Sequence, residues 1–528
     1  MEQIVKDDIQ APSARAPMAR RPVLAVAAAP MAWRPVLAVA AVAAAIHLAV
    51  ATRYGWHQDE FYFVICGRHL AWGYVDQPPL APFLARLATS LPGGLLPLRL
   101  LAIAAQVGCV LVAPMLAAEF GGGRRAQLIT AAAIAACPVF VGASLLFGTT
   151  VVDQFAWTVL FVLIARAFRL GTVRAWLYAG VAAGIGLENK DTIAVLLIGV
   201  AAGMAAYRRQ ALRTPGPWLA GVVAVALALP NLIWKAQHGW PDLAMDHALS
   251  AEQGGMLGGI DHVPALALCL AGPPLIALCV VGVRWLRSGG REHRWVLAAA
   301  AVVVVLFALG GGKDYYAAPS LTGLFAAGAV GIEAWWHQRA RLRWSAALIS
   351  SAVIAVVTGL PVLPASAATA LRPVNPELMQ TYGWPQFTAE VTRAAHTLPA
   401  GTPIFTSDYG EAGALTILGP AAGLRNRVYS GHNNYYLWGP PPGQDSTVLC
   451  VGKFTVSYLR GFWSSVRELG PITFPPGLTN NETANGAAIY LCQRPRGTWA
   501  QMWPGLRHLG SPDYVDLGHR VGKSSGIV

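Results

Sequence analysis

WRPVLAVAAVAAAIHLAVA, residues 33–51, is an apolar run interrupted only by Arg34 and His47. Its length is that of a bilayer-spanning helix, which needs about 20 mostly apolar residues. The 528-residue chain repeats this pattern: 55% of its residues are hydrophobic and 12% are charged, whereas soluble domains carry about 25% charged residues. We therefore predict a polytopic α-helical membrane protein. The composition excludes a soluble enzyme and a disordered chain, and the unbroken runs argue against a β-barrel, whose strands alternate in polarity.

Further apolar runs of similar character follow, so that hydropathy predicts about 11 transmembrane helices. The predicted spans are 33–51, 98–119, 126–146, 151–169, 175–187, 192–207, 218–234, 264–285, 295–310, 317–336 and 345–363.

The basic residues set the orientation of these spans. Arginines cluster at 124–125, 166–174, 208–213, 284–294 and 339–343, in every second loop. Cytoplasmic loops are enriched in Lys and Arg, so the N-terminus is predicted to be cytoplasmic. The net charge of +13 is then mainly an orientation signal, and no nucleic-acid partner is needed to explain it.

The chain divides into three predicted parts. Residues 1–32 form a cytoplasmic tail, residues 33–365 the transmembrane domain with outer loops 52–97 and 235–263, and residues 366–528 an extracytoplasmic domain. In this last part, β-like runs at 403–407, 427–430, 447–451 and 487–492 alternate with helical patterns at 411–418, 456–469 and 498–508, which indicates a small α/β domain. Cys450 and Cys492 end two of the predicted strands. A disulfide between them is permitted outside the cytoplasm, but the sequence does not decide the pairing.

Acids and lysines mark the predicted outer side. Lys190, Lys235 and Lys313 are the only lysines between Lys6 and Lys453. Compact ammonium groups placed only on the outer side suggest an anionic ligand such as a phosphate. The acids on that side are Asp59, Glu60, Asp76, Asp153, Glu188, Asp191 and Asp314. We expect these groups to converge on one pocket, although each one alone could equally be a solvated loop residue.

The chemistry expected of such a pocket is glycosyl transfer from a lipid phosphate. A phosphate leaving group needs no general acid, whereas the acceptor hydroxyl needs a base and the departing phosphate needs cations. Of the adjacent pair Asp59 and Glu60, one is expected to act and the other to orient or bind, because neighbouring side chains on a helix point in different directions.

Several motifs resemble glycosyltransferase family 39 of the GT-C superfamily, which includes protein O-mannosyltransferases, lipid A aminoarabinose transferase and lipopolysaccharide-core galacturonosyltransferases. The resemblance rests on five features: Asp-Glu-x-Tyr at 59–62, Gly-Tyr-x-Asp-x-Pro-Pro-Leu at 73–80, Asp153 at the start of the fourth span, GLENK at 186–190 and KDYYAAP at 313–319. The lysine hairpin at 186–190 is one residue shorter than the family pattern. The resemblance covers about residues 33–336.

The resemblance implies an inverting membrane glycosyltransferase that moves a sugar from a polyprenyl-phosphate donor to a lipid or cell-envelope glycan. Asp59 would be the base with Glu60 beside it, Lys190 and Lys313 would bind the donor phosphate, and Asp76, Asp153 and Tyr316 would support the site. No cofactor is required, and a divalent cation held by Asp59, Glu60 or Asp76 is compatible with these acids. The expected location is a bacterial plasma membrane, with membrane lipids as surroundings.

The segment SGHNNYYLWG, residues 430–439, is dense in aromatic and hydrogen-bonding groups. Such groups suit a sugar, so His432, Asn433, Tyr435 and Trp438 are candidates for acceptor binding, with an ordinary packed turn as the alternative. Two other functions stay open: a secondary transporter of an anionic substrate, which would be expected to show internal repeats, and a non-catalytic envelope scaffold.

Overall fold

The computed structural model describes residues 28–252, 272–310, 312–335, 337–443 and 445–510. The predicted fold class is confirmed: a largely helical membrane protein carries a small C-terminal domain with a β-sheet. Most of the predicted tail 1–32, and parts of loop 235–263 and span 264–285, lie outside the described residues.

The helices preceding the sheet domain occupy most of the predicted spans and part of the outer loops. They are α1 Trp33–Val50, α2 Gln58–Arg68, α3 Leu80–Thr89, α4 Leu96–Glu119, α5 Arg124–Ala135, α6 Pro138–Ala143, α7 Thr149–Leu170, α8 Val173–Leu187, α9 Thr192–Tyr207, α10 Pro215–Gln237, α11 Pro241–Glu252, α12 Pro273–Ser288, α13 Arg294–Gly310, α14 Leu321–Glu333 and α15 Gln338–Gly359.

Within the described residues, 6 helices are long and apolar enough to cross a membrane: α1, α4, α7, α10, α15 and the segment 291–310 that contains α13. The other predicted spans fall on shorter helices, such as α8 with 15 residues and α9 with 16. The predicted span 126–146 is divided into α5 and α6 at Cys137, because Pro138 cannot continue the backbone hydrogen bonds of a helix. The count of 11 spans therefore stays a prediction.

Small residues let the helices of the bundle approach closely. A Cβ atom on Gly180 of α8 would lie 2.5 Å from the carbonyl oxygen of Ala220 in α10, and one on Gly199 of α9 would lie 2.8 Å from that of Ala299 in α13. Close backbone contact of this kind drives helix association in lipid, where burial of apolar side chains gives little advantage.

The predicted outer loop 52–97 contains two helices, α2 and α3. Helix α2 begins with a capping box in which His57 Nδ1 accepts a hydrogen bond near the helix start and the Glu60 side chain accepts one from the backbone N–H of His57. This arrangement satisfies donors that a helix start otherwise leaves free. It also fixes Asp59 within the first turn.

The C-terminal domain contains a five-stranded mixed sheet. Its strands are β1 Ile404–Thr406, β2 Val428–Ser430, β3 Thr447–Gly452, β4 Trp463–Pro471 and β5 Ala488–Pro495. The strand order is β2-β1-β3-β5-β4, with β1 parallel to β2 and β3, and β5 antiparallel to β3 and β4.

The helices from the end of the bundle onward are α16 Ala365–Ala368, α17 Trp384–Ala395, α18 Tyr409–Leu418, α19 Asn434–Leu437, α20 Val456–Arg460, α21 Asn481–Ala484 and α22 Trp499–Leu506, and a short 3₁₀ helix spans Pro376–Gln380.

One predicted element of this domain is wrong. Residues 456–469 were expected to be helical, but only Val456–Arg460 is, and Trp463–Pro471 forms the edge strand β4. Pairing with β5 satisfies the backbone of this segment, and that long-range contact overrides its local helical pattern. The four predicted strands all coincide with β1, β2, β3 and β5. Cys450 and Cys492, on adjacent strands, are both free thiols in the structure.

Two glycines bring the C-terminal domain onto the outer loop. A Cβ on Gly413 of α18 would lie 2.5 Å from Cβ of Phe61, and one on Gly410 would lie 2.7 Å from Cβ of Gln58. Only glycine permits so close an approach of α18 to α2. The two helices are thereby held against each other near Asp59, which lies in the first turn of α2.

Candidate active site

Asp59 lies at the interface between the first outer loop and the C-terminal domain. Its Oδ1 accepts a 2.7 Å hydrogen bond from the hydroxyl of Tyr409, and its Oδ2 is 4.0 Å from Nδ1 of His57. The side chain is 35% exposed. Asp59 therefore combines a fixed orientation with access for a substrate, as a base requires.

His57 is buried directly beside this carboxylate. Its Nδ1 accepts a hydrogen bond from the Asp59 backbone N–H, which leaves Nε2 to donate to Glu377 Oε2 at 3.0 Å. Burial lowers the pKa of His57, but the Glu377 hydrogen bond and the charges of Asp59, Glu377 and Glu60 outweigh burial and raise it. Burial likewise opposes ionisation of Glu377, yet the hydrogen bond and charge of His57, with the charge of Lys313, lower its pKa.

Glu60 is placed as an orienting residue. Its carboxylate is buried, lies 2.8 Å from both Nε and Nη2 of Arg99, and accepts hydrogen bonds from the backbone N–H groups of His57 and Phe147. The Glu60 side chain is fully buried and both of its oxygens accept hydrogen bonds, so it presents no surface to a substrate. We therefore revise its predicted catalytic role: Glu60 joins α2 to α4 and to the segment before α7, while Asp59 carries the exposed carboxylate.

Asp76 connects the second half of the outer loop to the C-terminal domain. Its Oδ1 accepts a hydrogen bond from the Tyr62 hydroxyl at 3.0 Å and its Oδ2 accepts one from Asn433 at 3.1 Å. Burial raises the pKa of Asp76 to about 6, and the charge of Asp59 acts in the same direction. Asp76 therefore supports the position of this loop, consistent with its predicted supporting role.

The raised pKa of Asp76 predicts a specific pH dependence of stability. Between the ordinary pKa of an Asp, 3.8, and about 6, the folded state holds the Asp76 proton more tightly than the unfolded state does. Stability should therefore fall as the pH rises through this window and then level off. We expect the Asp76→Asn variant to show a smaller loss of Tm than the wild type between pH 4 and pH 6.5 in a thermal-shift measurement; equal losses in both proteins would contradict the assignment.

Lys190 and the aromatic motif at 313–316 meet, as predicted. The Lys190 ammonium lies 4.4 Å from the ring centre of Tyr316 and 5.3 Å from that of Tyr315. It also donates a hydrogen bond to the Thr150 hydroxyl at 3.2 Å. Aromatic faces hold an ammonium in place without neutralising its charge. The rings therefore orient the Lys190 side chain while leaving it able to pair with an anionic ligand.

Lys313 opens the aromatic motif that contacts Lys190. Tyr315 raises the pKa of Lys313, burial opposes it, and Tyr316, Glu377 and Asp59 raise it further, so that the ammonium stays charged. The negative charges of Glu377 and Asp59 therefore favour the charged form of Lys313.

Asp153 completes the same region from α7. It is buried and accepts hydrogen bonds from the Trp157 indole at 3.1 Å and the Thr192 hydroxyl at 2.8 Å. The Thr192 hydrogen bond joins α7 to α9. Lys235, the third predicted outer lysine, is instead bound to Asp191 at 2.8 Å and Asp242 at 3.0 Å. Its charge is neutralised locally, so it is a structural rather than a ligand-binding lysine.

Three of the predicted acceptor residues, Asn433, Tyr435 and Trp438, contact the loop 52–97, while His432 packs within the C-terminal domain. His432, Asn433 and Tyr435 are buried, and the His432 ring stacks on Tyr409 at 4.8 Å. Burial lowers the pKa of His432 to about 3, so it is neutral and packed. We therefore revise the acceptor prediction for these three side chains, since they have no surface left for a sugar. Trp438 is half-buried and stacks on His69 at 4.4 Å; for it the prediction stays open.

A second group of carboxylates lies in the C-terminal domain, behind the start of α18. Asp408, Glu411 and Glu482 have oxygens within 4.8 Å of one another. The Lys453 ammonium bonds Asp408 at 2.7 Å and Glu482 at 3.2 Å. Burial opposes ionisation of Asp408, but Lys453 lowers its pKa, whereas burial and the neighbouring acids raise the pKa of Glu411 well above its usual range. The Lys453 ammonium therefore offsets part of the negative charge of this group.

Four residues of the site were missed by sequence reasoning: His57, Arg99, Glu377 and Tyr409. Arg99 did give a signal, because it interrupts an apolar span on the predicted outer side, where the arginine pattern leaves no reason for it. His57 precedes the Asp-Glu-x-Tyr motif at 59–62 but is not part of it. Glu377 and Tyr409 gave no local signal, since their partners lie 320 and 350 residues away.

Comparison with known proteins gives one family match and several similar folds. Residues 76–234 match the family model described as dolichyl-phosphate-mannose-protein mannosyltransferase. The structure is similar to that of ArnT from Cupriavidus metallidurans bound to undecaprenyl phosphate, with a TM-score of 0.60 and 15% identity over 86% of this chain and 97% of ArnT. The apo state of the same ArnT gives a TM-score of 0.56 with equal identity and coverage. No curated protein sequence matches.

Proposed function

Since this chain has the GT-C fold of the membrane glycosyltransferases, we propose that it transfers a sugar from a polyprenyl-phosphate donor to a lipid or glycan acceptor on the outer face of the membrane. The observation that carries this proposal is an accessible carboxylate, Asp59, whose charge acts on Lys313, together with the contact of Lys190 with the rings of Tyr315 and Tyr316 beside Lys313. The family match covers the loop and helices that supply Asp76, Asp153 and Lys190.

The proposed chemistry divides between the two halves of the site. Asp59 takes the proton from the acceptor hydroxyl as the oxygen attacks the anomeric carbon, and the bond from that carbon to the phosphate oxygen breaks. Lys190 and Lys313 stabilise the negative charge that develops on the departing phosphate. A single displacement inverts the anomeric configuration. A retaining reaction would need a second carboxylate as nucleophile. The neighbouring carboxylate, Glu60, is instead paired with Arg99.

The direct test is incubation of the purified protein with candidate polyprenyl-phosphate sugars, while mass spectrometry follows free polyprenyl phosphate. Release that depends on an added acceptor, together with an inverted linkage in the product by NMR, is the expected result. A transporter would move the anionic substrate across vesicles without releasing polyprenyl phosphate. A scaffold would tolerate the loss of every acid in the loop. Either of those results would replace the enzymatic proposal.

The two lysines give a second prediction. Lys190→Ala and Lys313→Ala should each lower kcat/KM for the donor by about 10²-fold, because each removes a charge-assisted contact with the phosphate. Arg174→Ala is the matched control, since it removes one positive charge from a predicted cytoplasmic loop. Lys190→Arg, which keeps the charge, should lose less than Lys190→Ala. Unchanged donor kinetics in either alanine variant would remove that lysine from the site.

A further inference from the structure

Tyr409 crosses from the C-terminal domain into the proposed catalytic site. It is the first residue of α18, it is 9% exposed, and its hydroxyl donates to Oδ1 of Asp59 at 2.7 Å. Burial raises the pKa of Tyr409 well above its ordinary value, and the charges of Asp59, Asp76 and Asp408 raise it further. The phenol therefore keeps its proton and acts as a donor at any pH at which the protein is folded.

The buried polar cluster of the C-terminal domain fixes the start of α18. Asp408 caps the helix by accepting from the Glu411 backbone N–H at 2.9 Å, and Glu411 accepts in return from the Asp408 backbone N–H at 3.0 Å. Lys453 holds the other oxygen of Asp408 at 2.7 Å. Every rotation that would move Tyr409 relative to the sheet breaks one of these bonds. A buried hydrogen-bond network of this kind favours rigidity of the helix start.

The ring of Tyr409 is also held in place, because it stacks on two other rings. It stacks on Tyr62 of the outer loop with ring centres 4.5 Å apart and on His432 of its own domain with ring centres 4.8 Å apart. Gly410 and Gly413, which follow it on α18, permit the close contact with α2 described above. The hydroxyl therefore has one accessible position relative to Asp59.

We infer that Tyr409 is a positioning residue for the base Asp59, so that the C-terminal domain completes the active site. Its hydroxyl holds Oδ1 and leaves Oδ2 to receive the proton of the acceptor. A carboxylate held in one orientation reacts faster than one free to rotate, and a donated hydrogen bond favours its ionised form. This inference rests on the proposed function, in which Asp59 is the base.

The test compares Tyr409→Phe with Tyr490→Phe. The Tyr490→Phe variant removes a comparable buried hydroxyl from the same domain. That hydroxyl donates to the Phe454 carbonyl at 2.9 Å, and Tyr490 lies on strand β5, away from Asp59. With the polyprenyl phosphate release assay, Tyr409→Phe should lower kcat about tenfold, with donor KM within about twofold, and should move the acid limb of the kcat–pH profile up by about one pH unit. Tyr490→Phe should leave both kcat and the acid limb of the kcat–pH profile unchanged.

A measurement that needs no turnover accompanies the assay. Water-soluble carbodiimides react with protonated carboxyl groups, so the pH at which half of Asp59 is modified, read by peptide mass spectrometry, reports its protonation. This midpoint should rise in Tyr409→Phe only. If the wild type transfers sugar but neither the limb nor the midpoint moves, the inference is wrong and the proposed function stands. If the wild type transfers no sugar from any donor while the midpoint rises, the proposed function is wrong and the coupling of Tyr409 to Asp59 stands.

Discussion

Asp59→Asn is expected to lower kcat by about 10³-fold or more, because removal of a general base typically costs 10²–10⁴-fold. Asn keeps the shape of Asp and its Oδ1 still accepts the Tyr409 hydrogen bond, but its amide cannot take a proton from the acceptor hydroxyl. The variant should therefore bind the donor with unchanged affinity and show an unchanged Tm. The measurements are polyprenyl phosphate release at saturating donor and thermal unfolding of the purified protein.

The matched control for this variant is Asp445→Asn. Asp445 lies in the C-terminal domain, where it accepts a hydrogen bond from the Trp499 indole at 3.1 Å, and the same isosteric change there should leave turnover intact. Near-normal activity of Asp59→Asn would refute the assignment of the base. A loss of activity accompanied by a large drop in Tm would show instead that Asp59 is structural, which the exposure of its side chain makes the weaker expectation.

The fold was predictable because bilayer spans impose a strong pattern on sequence. Apolar runs of about 20 residues and arginines in alternate loops are local features, and both follow from the cost of placing polar groups in lipid. Strands β1, β2, β3 and β5 of the C-terminal domain were also predictable, because short β-branched runs bounded by turn residues are local features of the sequence. Strand β4 was not, because its pairing with β5 outweighs the helical pattern of residues 463–469.

The candidate site was predictable only in part. Lys190 and the motif at 313–316 stand out because charged groups beside apolar spans are rare, and they do meet in the structure. The hydrogen bonds of Glu377 to His57 and of Tyr409 to Asp59 could not be inferred, because nothing in residues 370–410 marks them as partners of the first outer loop. Contacts between domains depend on the final packing, here on the approach of α18 to α2.

The acceptor prediction for His432, Asn433 and Tyr435 does not fit the burial of their side chains. Aromatic and amide side chains in residues 430–439 suit a sugar, but they equally suit an interface between two domains that must bury tyrosines and satisfy their hydroxyls. Asn433 donates to Asp76, and the backbone N–H of Val75 donates to Asn434 at 2.8 Å. Composition alone does not distinguish the two uses, because both need flat apolar faces with hydrogen-bonding edges.

The second large effect is expected at the buried ion pair of Glu60 and Arg99. Arg99→Ala leaves the Glu60 carboxylate buried without its counter-charge, and breaking a buried pair in this way costs about 3–5 kcal/mol. The free energy of unfolding should fall by this amount, visible as a lower Tm of the purified protein. Because Glu60 also caps α2, kcat should fall together with stability as Asp59 loses its fixed position.

Two comparisons separate a buried charge from general damage to the bundle. Arg169 forms the same two-point contact with Glu119 near the other ends of α4 and α7, but its side chain is 21% exposed, whereas that of Arg99 is 4% exposed. Arg169→Ala should therefore cost less, since solvent screens a partly exposed ion pair more than a buried one. Glu60→Gln combined with Arg99→Met should recover most of the stability lost in Arg99→Ala, because no unpaired charge remains and the amide oxygen still accepts a backbone hydrogen bond. If the double variant is as unstable as Arg99→Ala, the loss comes from packing around Arg99, and the ion pair is not what holds α2 against α4.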